Sequence, residues 1–360
     1  MTANMAVIDS VFKSEKLGKD VQKTYLSIKA LEPLITKDVE QVASSLGNHM
    51  EGLQYSVKAA SSVEDRLARE AKKYQSQHPE SEYDYKNGLL EQKDIICYTE
   101  VCPNDGIVQT TKDTIAKMED MGYVLSGVRN YYVNPYPRTQ YKGIHLNFIS
   151  PYGQEIELRI QAQDNFEAKQ EGGFMYKNVS SVSALKQERE LCQNQTVQNH
   201  QSVPKDKDYW EIENMSMEDS DKKALQALRR KATDIDIDFD TKEVSNGTHT
   251  QLSVVYTVSL NNEEKLKGFE HTFSDGSAWA YWKLPNEEKA TWVILDKKGG
   301  IISEKDAEDL EINLDYVLDM VRRQEEEHER WMEEHKAFVM EMEGEEIPVP
   351  VEEPQDEKKS

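Results

Sequence analysis

The sequence predicts a mixed α/β domain, a linker, an antiparallel α+β domain and an acidic helical tail. Three observations carry that reading. Ile144, Leu146 and Phe148 alternate with His145 and Asn147. After the turn Pro151-Tyr152-Gly153, Ile156, Leu158 and Ile160 alternate with Glu155, Glu157 and Arg159, so the pair is a β-hairpin with one apolar face. Helical spacing precedes it in Leu26, Ile28, Leu31, Leu34, Ile35, Val39, Val42 and Leu46. A second strictly alternating run, Asp234 to Asp240, opens a series of strands at 250–260, 266–273, 278–284 and 290–295.

Taken in order, residues 1–53 read as amphipathic helices, broken where Pro33 follows Glu32. Residues 54–190 form the α/β domain. Within it, Ser61 or Ser62 is placed to cap a helix beginning near Val63, with Glu64 and Asp65 favourable in its first turn. Residues 76–92 read as a polar loop, and Asp94 to Thr99 as a strand. Residues 109–121 carry helical spacing through Ile115 and Met118, and Gly122 ends that helix. Residues 191–208 are a polar linker, and 209–300 are the antiparallel α+β domain, with a hairpin turn at Asn246-Gly247. Residues 301–344 read as a long helix and 345–360 as a disordered acidic tail. The aspartates of 234–240 are not a calcium loop, because the sixth position needs glycine and holds Phe239.

Composition narrows the classes. A net charge of −23 argues against a protein that coats nucleic acid, and leaves room for a local basic pocket. No apolar run reaches membrane-spanning length, and the N-terminus lacks a signal-peptide core. Cys97, Cys102 and Cys192 are too few and too scattered for a disulfide framework or a zinc site, which suits a cytoplasmic setting. Neither a membrane nor DNA is expected as a partner, and self-association stays open.

The hairpin's polar face carries the chemistry. A row of His145, Asn147, Glu155, Glu157 and Arg159 suits either a solvated sheet face or a site. Upstream, Lys58 precedes a helix start and Arg66 lies about one turn inside it. Such a pair is ordinary surface charge or a bracket for phosphates. Asp94 at a strand start caps that strand or, beside a carboxylate on a neighbouring strand, suits Mg²⁺. The loop from Arg129 to Arg138, with Tyr131, Tyr132 and Tyr136, mixes cations and aromatics and suits a nucleotide or a packed loop.

Tyr141-x-x-x-His145 followed by Glu155-x-x-x-Arg159 resembles the RelA/SpoT synthetase family. Lys58-x-x-x-Ser62-x-x-x-Arg66, Asp94 at a strand start, and Glu171, Tyr176 and Lys177 further on fit the same pattern. The chain departs from it at Ser56 and Thr99, where the family has arginines, and at Cys97, where it has glycine. The resemblance spans roughly residues 50–180. It implies a nucleotidyltransferase-like mixed sheet with flanking helices. The implied reaction is transfer of pyrophosphate from ATP to the 3′-hydroxyl of GDP or GTP, giving (p)ppGpp. Asp94 and Glu155 would hold Mg²⁺ and act in catalysis. Lys58, Ser62 and Arg66 would hold ATP. Tyr141 would stack on the acceptor base, and His145, Arg159 and Arg138 would contact the nucleotides. Two alternatives are a toxin that pyrophosphorylates the 3′ end of tRNA and a descendant that binds nucleotides or protein without catalysis. The second half, with its many carboxylates, is expected to restrain the first.

Overall fold

The computed structural model describes residues 11–14, 17–135, 140–168, 170, 208–244, 249–284, 287–296, 301–308 and 310–335. The chain divides into two compact units, 1–311 and 312–360.

In the first unit, α1 (Gly18–Ala30) and α2 (Glu32–Ser45) are the N-terminal helices, with Pro33 in the first turn of α2, where its missing N–H costs nothing. Strand β1 (His49–Glu51) follows, where helix was expected, and pairs with β2 (Ile96–Cys102). Helix α3 (Ala60–Gln77) begins three residues before Val63. Its N-cap is Ala59, which has no side-chain oxygen, so Ser61 and Ser62 lie inside the first turn and do not cap it. The loop expected at 76–92 contains a short helix, α4 (Tyr85–Leu90). The Asp84 side chain accepts a hydrogen bond from the Asn87 amide at 2.9 Å and caps it. Helix α5 (Ile107–Asp120) stops before Gly122, whose φ of +86° is costly for other residues. Strands β3 (Val124–Asn130), β4 (Ile144–Ile149) and β5 (Glu155–Ala162) complete the predicted hairpin region.

The first sheet runs β1-β2-β5-β4-β3-β6. β2 and β5 are parallel and every other pair is antiparallel, so the sheet is mixed. Its edge strand, β6 (Met215–Ser216), comes from beyond the linker and pairs with Gly127 and Val128. Helix α6 (Asp219–Ala232) follows at once and is tied to this sheet. Arg229 donates to the carbonyls of Ile149, Ser150 and Gly122, and Arg230 donates to that of Leu90.

The second sheet is antiparallel, in the order β12-β11-β10-β9-β8-β7. Its strands are β7 (Thr233–Val244), β8 (His249–Leu260), β9 (Glu263–Thr272), β10 (Ala278–Lys283), β11 (Ala290–Leu295) and β12 (Ile301–Ala307). The last occupies the start of the expected long helix. The predicted turn at Asn246-Gly247 lies outside the described residues. In β7, Ile237 is buried while Asp234, Asp236, Asp238 and Asp240 are exposed, as the alternation requires.

One apolar cluster joins both sheets. It takes Ile144, Leu146, Phe148, Ile156, Leu158 and Ile160 from the first sheet and Leu252, Val254, Tyr256, Val258 and Leu266 from the second. Helix α1 packs on β7 and β8. At that seam Lys29 of α1 and Glu270 of β9 form a buried ion pair at 2.6 Å. Beside it the Glu32 carboxyl accepts from Thr36 at 2.6 Å and Ser56 at 2.7 Å.

In the second unit, α7 (Leu314–Glu334) is capped by Asn313, whose side chain accepts from the Tyr316 amide at 2.9 Å. Residues 336–360, with the expected acidic tail, lie outside the described residues. Among the described residues no helix is long and apolar enough to cross a membrane.

Candidate nucleotide site

The period of two in β5 sends Ile156, Leu158 and Ile160 into the core and Glu155, Glu157, Arg159 and Gln161 to the opposite face. That face is not a solvated one. Glu155 is 2% exposed, Asn147 4% and Glu157 7%. Burying carboxylates is costly unless each finds donors, so their partners define the site.

Glu157 is the centre of one network. His145 Nδ1 lies 3.2 Å from its Oε2, and Arg159 donates to its Oε1 from Nε and Nη2, each at 2.7 Å. Burial pushes the Glu157 pKa up. The hydrogen bond and charge of His145 and the charge of Arg159 outweigh burial and hold it well below the usual carboxylate range. The Cys97 thiol reaches the same Oε1 at 3.6 Å, and burial pushes that thiol to about 12, so it stays protonated. On the other side of His145, Nε2 is 3.0 Å from the Tyr141 hydroxyl, to which the Gln161 amide donates. A Gln N–H only donates. The Tyr141 oxygen thus accepts from Gln161 and meets His145 Nε2, while His145 Nδ1 faces Glu157. The rings of Tyr131 and Tyr141 meet edge on at 5.5 Å, and Tyr131 lies 4.8 Å from the His145 ring.

A second network sits at the start of α3. Lys58 and Arg66 both donate to Asp94, Arg66 Nη1 at 2.7 Å, and Arg66 Nε reaches Glu70 at 2.9 Å. Asp94 is held just before β2, not within it. Lys58, Ser62, Arg66, Arg69 and Glu70 line an open cavity of about 500 Å³. Three cations thus face one cavity beside a helix start whose first-turn N–H groups have no side-chain cap.

A third network involves Glu155, which the sequence pairs with Asp94 around Mg²⁺. Ser126 donates to Glu155 Oε1 at 2.9 Å, and Lys222 of α6 lies 3.3 Å from Oε2. Both Asp94 oxygens are engaged by cations and both Glu155 oxygens have partners, and Glu155 is buried beside α6. As arranged, the two carboxylates do not fit a shared divalent-cation site. Among the described residues no three His, Cys, Asp or Glu side chains converge as metal ligands.

The structure therefore brings Tyr141, His145 and Arg159 together through Glu157, and Lys58, Ser62 and Arg66 together around a cavity with Asp94. Glu155, on the same face of β5, has partners of its own in Ser126 and Lys222. Arg138, Glu171, Tyr176 and Lys177 lie outside the described residues. The two positions that depart from the arginine pattern are buried. Ser56 is 1% exposed and donates to Glu32, and Thr99 is 8% exposed. Sequence reasoning gave no role to Glu157, though its place in the alternation put it on the polar face. It missed Arg69 and Lys222 entirely. Arg69 was legible as one turn beyond Arg66 on the same helix. Lys222 carries no such signal.

No family model matches the sequence, and no curated protein does. Among solved structures, the chain is similar to the small alarmone synthetase 1 from Bacillus subtilis, at 11% identity over 60% of this chain and 100% of that one, with a TM-score of 0.36. It is similar to the small alarmone synthetase 2 from Bacillus subtilis, at 13% identity over 59% of this chain and 100% of that one, with a TM-score of 0.37. A GTP pyrophosphokinase family protein from Streptococcus pneumoniae follows, at 14% identity over 60% and 98%, with a TM-score of 0.35.

Proposed function

We propose that this protein transfers pyrophosphate from ATP to the 3′-hydroxyl of a guanine nucleotide. The observation that carries the reading is the cavity at α3. Its lining contains Lys58, Ser62 and Arg66, the three residues whose spacing suggested a phosphate cradle, together with Arg69. Three cations suit a triphosphate, and the uncapped amides of α3 suit one of its oxygens. Beside it lies a sheet face with an aromatic pair, Tyr131 and Tyr141, and a fixed His145–Glu157–Arg159 array. Aromatic rings suit the acceptor base and Arg159 suits its phosphates. Phosphoryl-type transfer asks mainly for positioning and for charge on the phosphate oxygens, and these side chains supply both. In the reaction the ribose oxygen bonds to the β-phosphorus, the bond from that phosphorus to the bridging oxygen breaks, and AMP leaves. The family resemblance implies Mg²⁺ with the substrates.

A second reading is favoured by the burial of Ser56, Thr99 and Glu155: the chain binds the nucleotides without transferring between them. One experiment separates the two. The full chain is incubated with γ-labelled ATP and GDP, GTP or bulk tRNA, with Mg²⁺ or with EDTA, and the products are resolved by chromatography. Label in a guanosine product supports the proposal. Label at the tRNA 3′ end changes the acceptor. Label remaining in ATP in every arm leaves the binding role.

A further inference from the structure

The cradle at the start of α3 continues along the helix as a ridge. Residues four apart share a helical face, so Ser62, Arg66, Glu70, Tyr74 and, at the C-cap, His78 follow one another in steps of roughly 6 Å. Contacts along the ridge bear this out. Arg66 Nε meets Glu70 at 2.9 Å, and the rings of Tyr74 and His78 lie 4.6 Å apart. Ser62, Arg66 and Glu70 line the cavity, and beyond Glu70 the ridge turns aromatic.

Tyr83, just before α4, brings a further ring to this ridge. Its hydroxyl donates to Glu70 Oε2 at 3.1 Å, beside the cavity that Glu70 lines. Its ring lies 5.6 Å from that of Tyr74 and 5.1 Å from that of Tyr85. Burial and the Glu70 charge raise the Tyr83 pKa, so the hydroxyl keeps the proton it donates. Tyr83 and Tyr85 back onto the apolar core, and all three tyrosines are half-buried, each with part of its surface in solvent. Gly88 of α4 makes room for this arrangement, because a Cβ there would collide with the end of the Tyr83 side chain.

We infer that Tyr74 and Tyr83 form the base-binding end of the donor site, so that α3 holds the phosphates at its N-terminal end and the base towards its C-terminal end. This rests on the reading of the α3 cavity as the donor-nucleotide site. Arg66 and Tyr74 stand two ridge steps apart, roughly 12 Å along the axis, which leaves room for a ribose between phosphate and base. Glu70 lies between them, with one oxygen on Arg66 and the other on Tyr83, and each oxygen keeps a second lone pair for a ribose hydroxyl. Every base has a π-face, so an aromatic platform suits the adenine of ATP. The chemical class recognised is thus a nucleoside triphosphate rather than an inorganic polyphosphate.

The test is calorimetric titration of the full chain with ATP and with inorganic triphosphate, following the binding event that Arg66→Met abolishes. ATP is expected to bind about tenfold or more tighter than triphosphate. Tyr74→Leu should remove that advantage and leave triphosphate affinity unchanged. Gly88→Ala should do the same from outside the site, because its Cβ displaces Tyr83 while alanine suits the helix better than glycine. Equal affinity for the two ligands in the wild-type chain, or an ATP advantage that survives either variant, overturns the inference and leaves the phosphate cradle standing. Equal weakening of both ligands also overturns it, since the tyrosines then only brace Glu70 and Arg66. Binding of neither ligand removes the donor-site reading itself, and the inference with it.

Discussion

Asp94 is the residue on which the cradle turns, because Lys58 and Arg66 both spend their charge on it when no nucleotide is present. A triphosphate would compete for the same two cations. Asp94→Asn should therefore free them and tighten ATP binding, whereas Arg66→Ala should weaken it by about 1.5–3 kcal/mol, the scale of hydrogen bonds to charged groups. Titration calorimetry with ATP checks both, and equal losses in the two variants would show that Asp94 supports the cradle rather than competes with its ligand. Tyr141→Ala should cost acceptor affinity about 1–3 kcal/mol, the scale of one base–aromatic stack, with ATP affinity unchanged. Of these residues, Lys58, Ser62, Arg66, Tyr141, His145 and Arg159 were picked out by the family resemblance, and their short spacings explain why each set is adjacent: four residues on a helix make one turn, and alternation along a strand makes one face. Glu155 shows the limit. Its spacing put it on the right face, but its partner is set by tertiary packing.

Among the elements, α6 was the least legible: the sequence places it in the second domain, yet it is tied to the first sheet. Its anchors are long side chains on backbone carbonyls, Arg229 on Ile149, Ser150 and Gly122, and Arg230 on Leu90, which leave no periodic trace. Strand β6 is two residues long, too short for alternation to be seen. From beyond the linker Glu211 and Glu270 meet Lys112 and Lys29, whereas at Glu155 what arrives is a lysine. Breaking that pair should be costly. Glu155→Gln leaves buried Lys222 with only the exposed Asp219 carboxylate and should lower stability by about 3–5 kcal/mol, the range for one lost partner of a buried pair. The double variant Glu155→Gln/Lys222→Met should recover part of that loss in urea denaturation. Strictly additive losses would show that the two side chains do not interact.

The first unit is held as one core by the seam between the sheets. There burial pushes Glu32 up to about 7, against the hydrogen bonds from Thr36 and Ser56 and the charge of Lys29. A raised carboxyl pKa favours folding while the group is protonated. That contribution is complete below the unfolded value near 4.5 and is lost as pH rises through about 7. The wild-type chain should therefore lose stability between pH 5 and 8 relative to Glu32→Gln, whose urea midpoint should be flatter over the same interval. Parallel profiles would show that Glu32 does not carry the dependence. The seam also explains Ser56: a long cation there would have to enter the network that joins α2 to the first sheet.

The order in which the chain is made gives the Lys222–Glu155 pair a temporal meaning. Glu155 leaves the ribosome well before Lys222, and the intervening segment must emerge before the lysine can arrive. Until then the first sheet lacks its edge strand β6, and a carboxylate destined for burial has no cation to meet it. A nascent chain thus carries its α3 cradle early and its α6 lysine late.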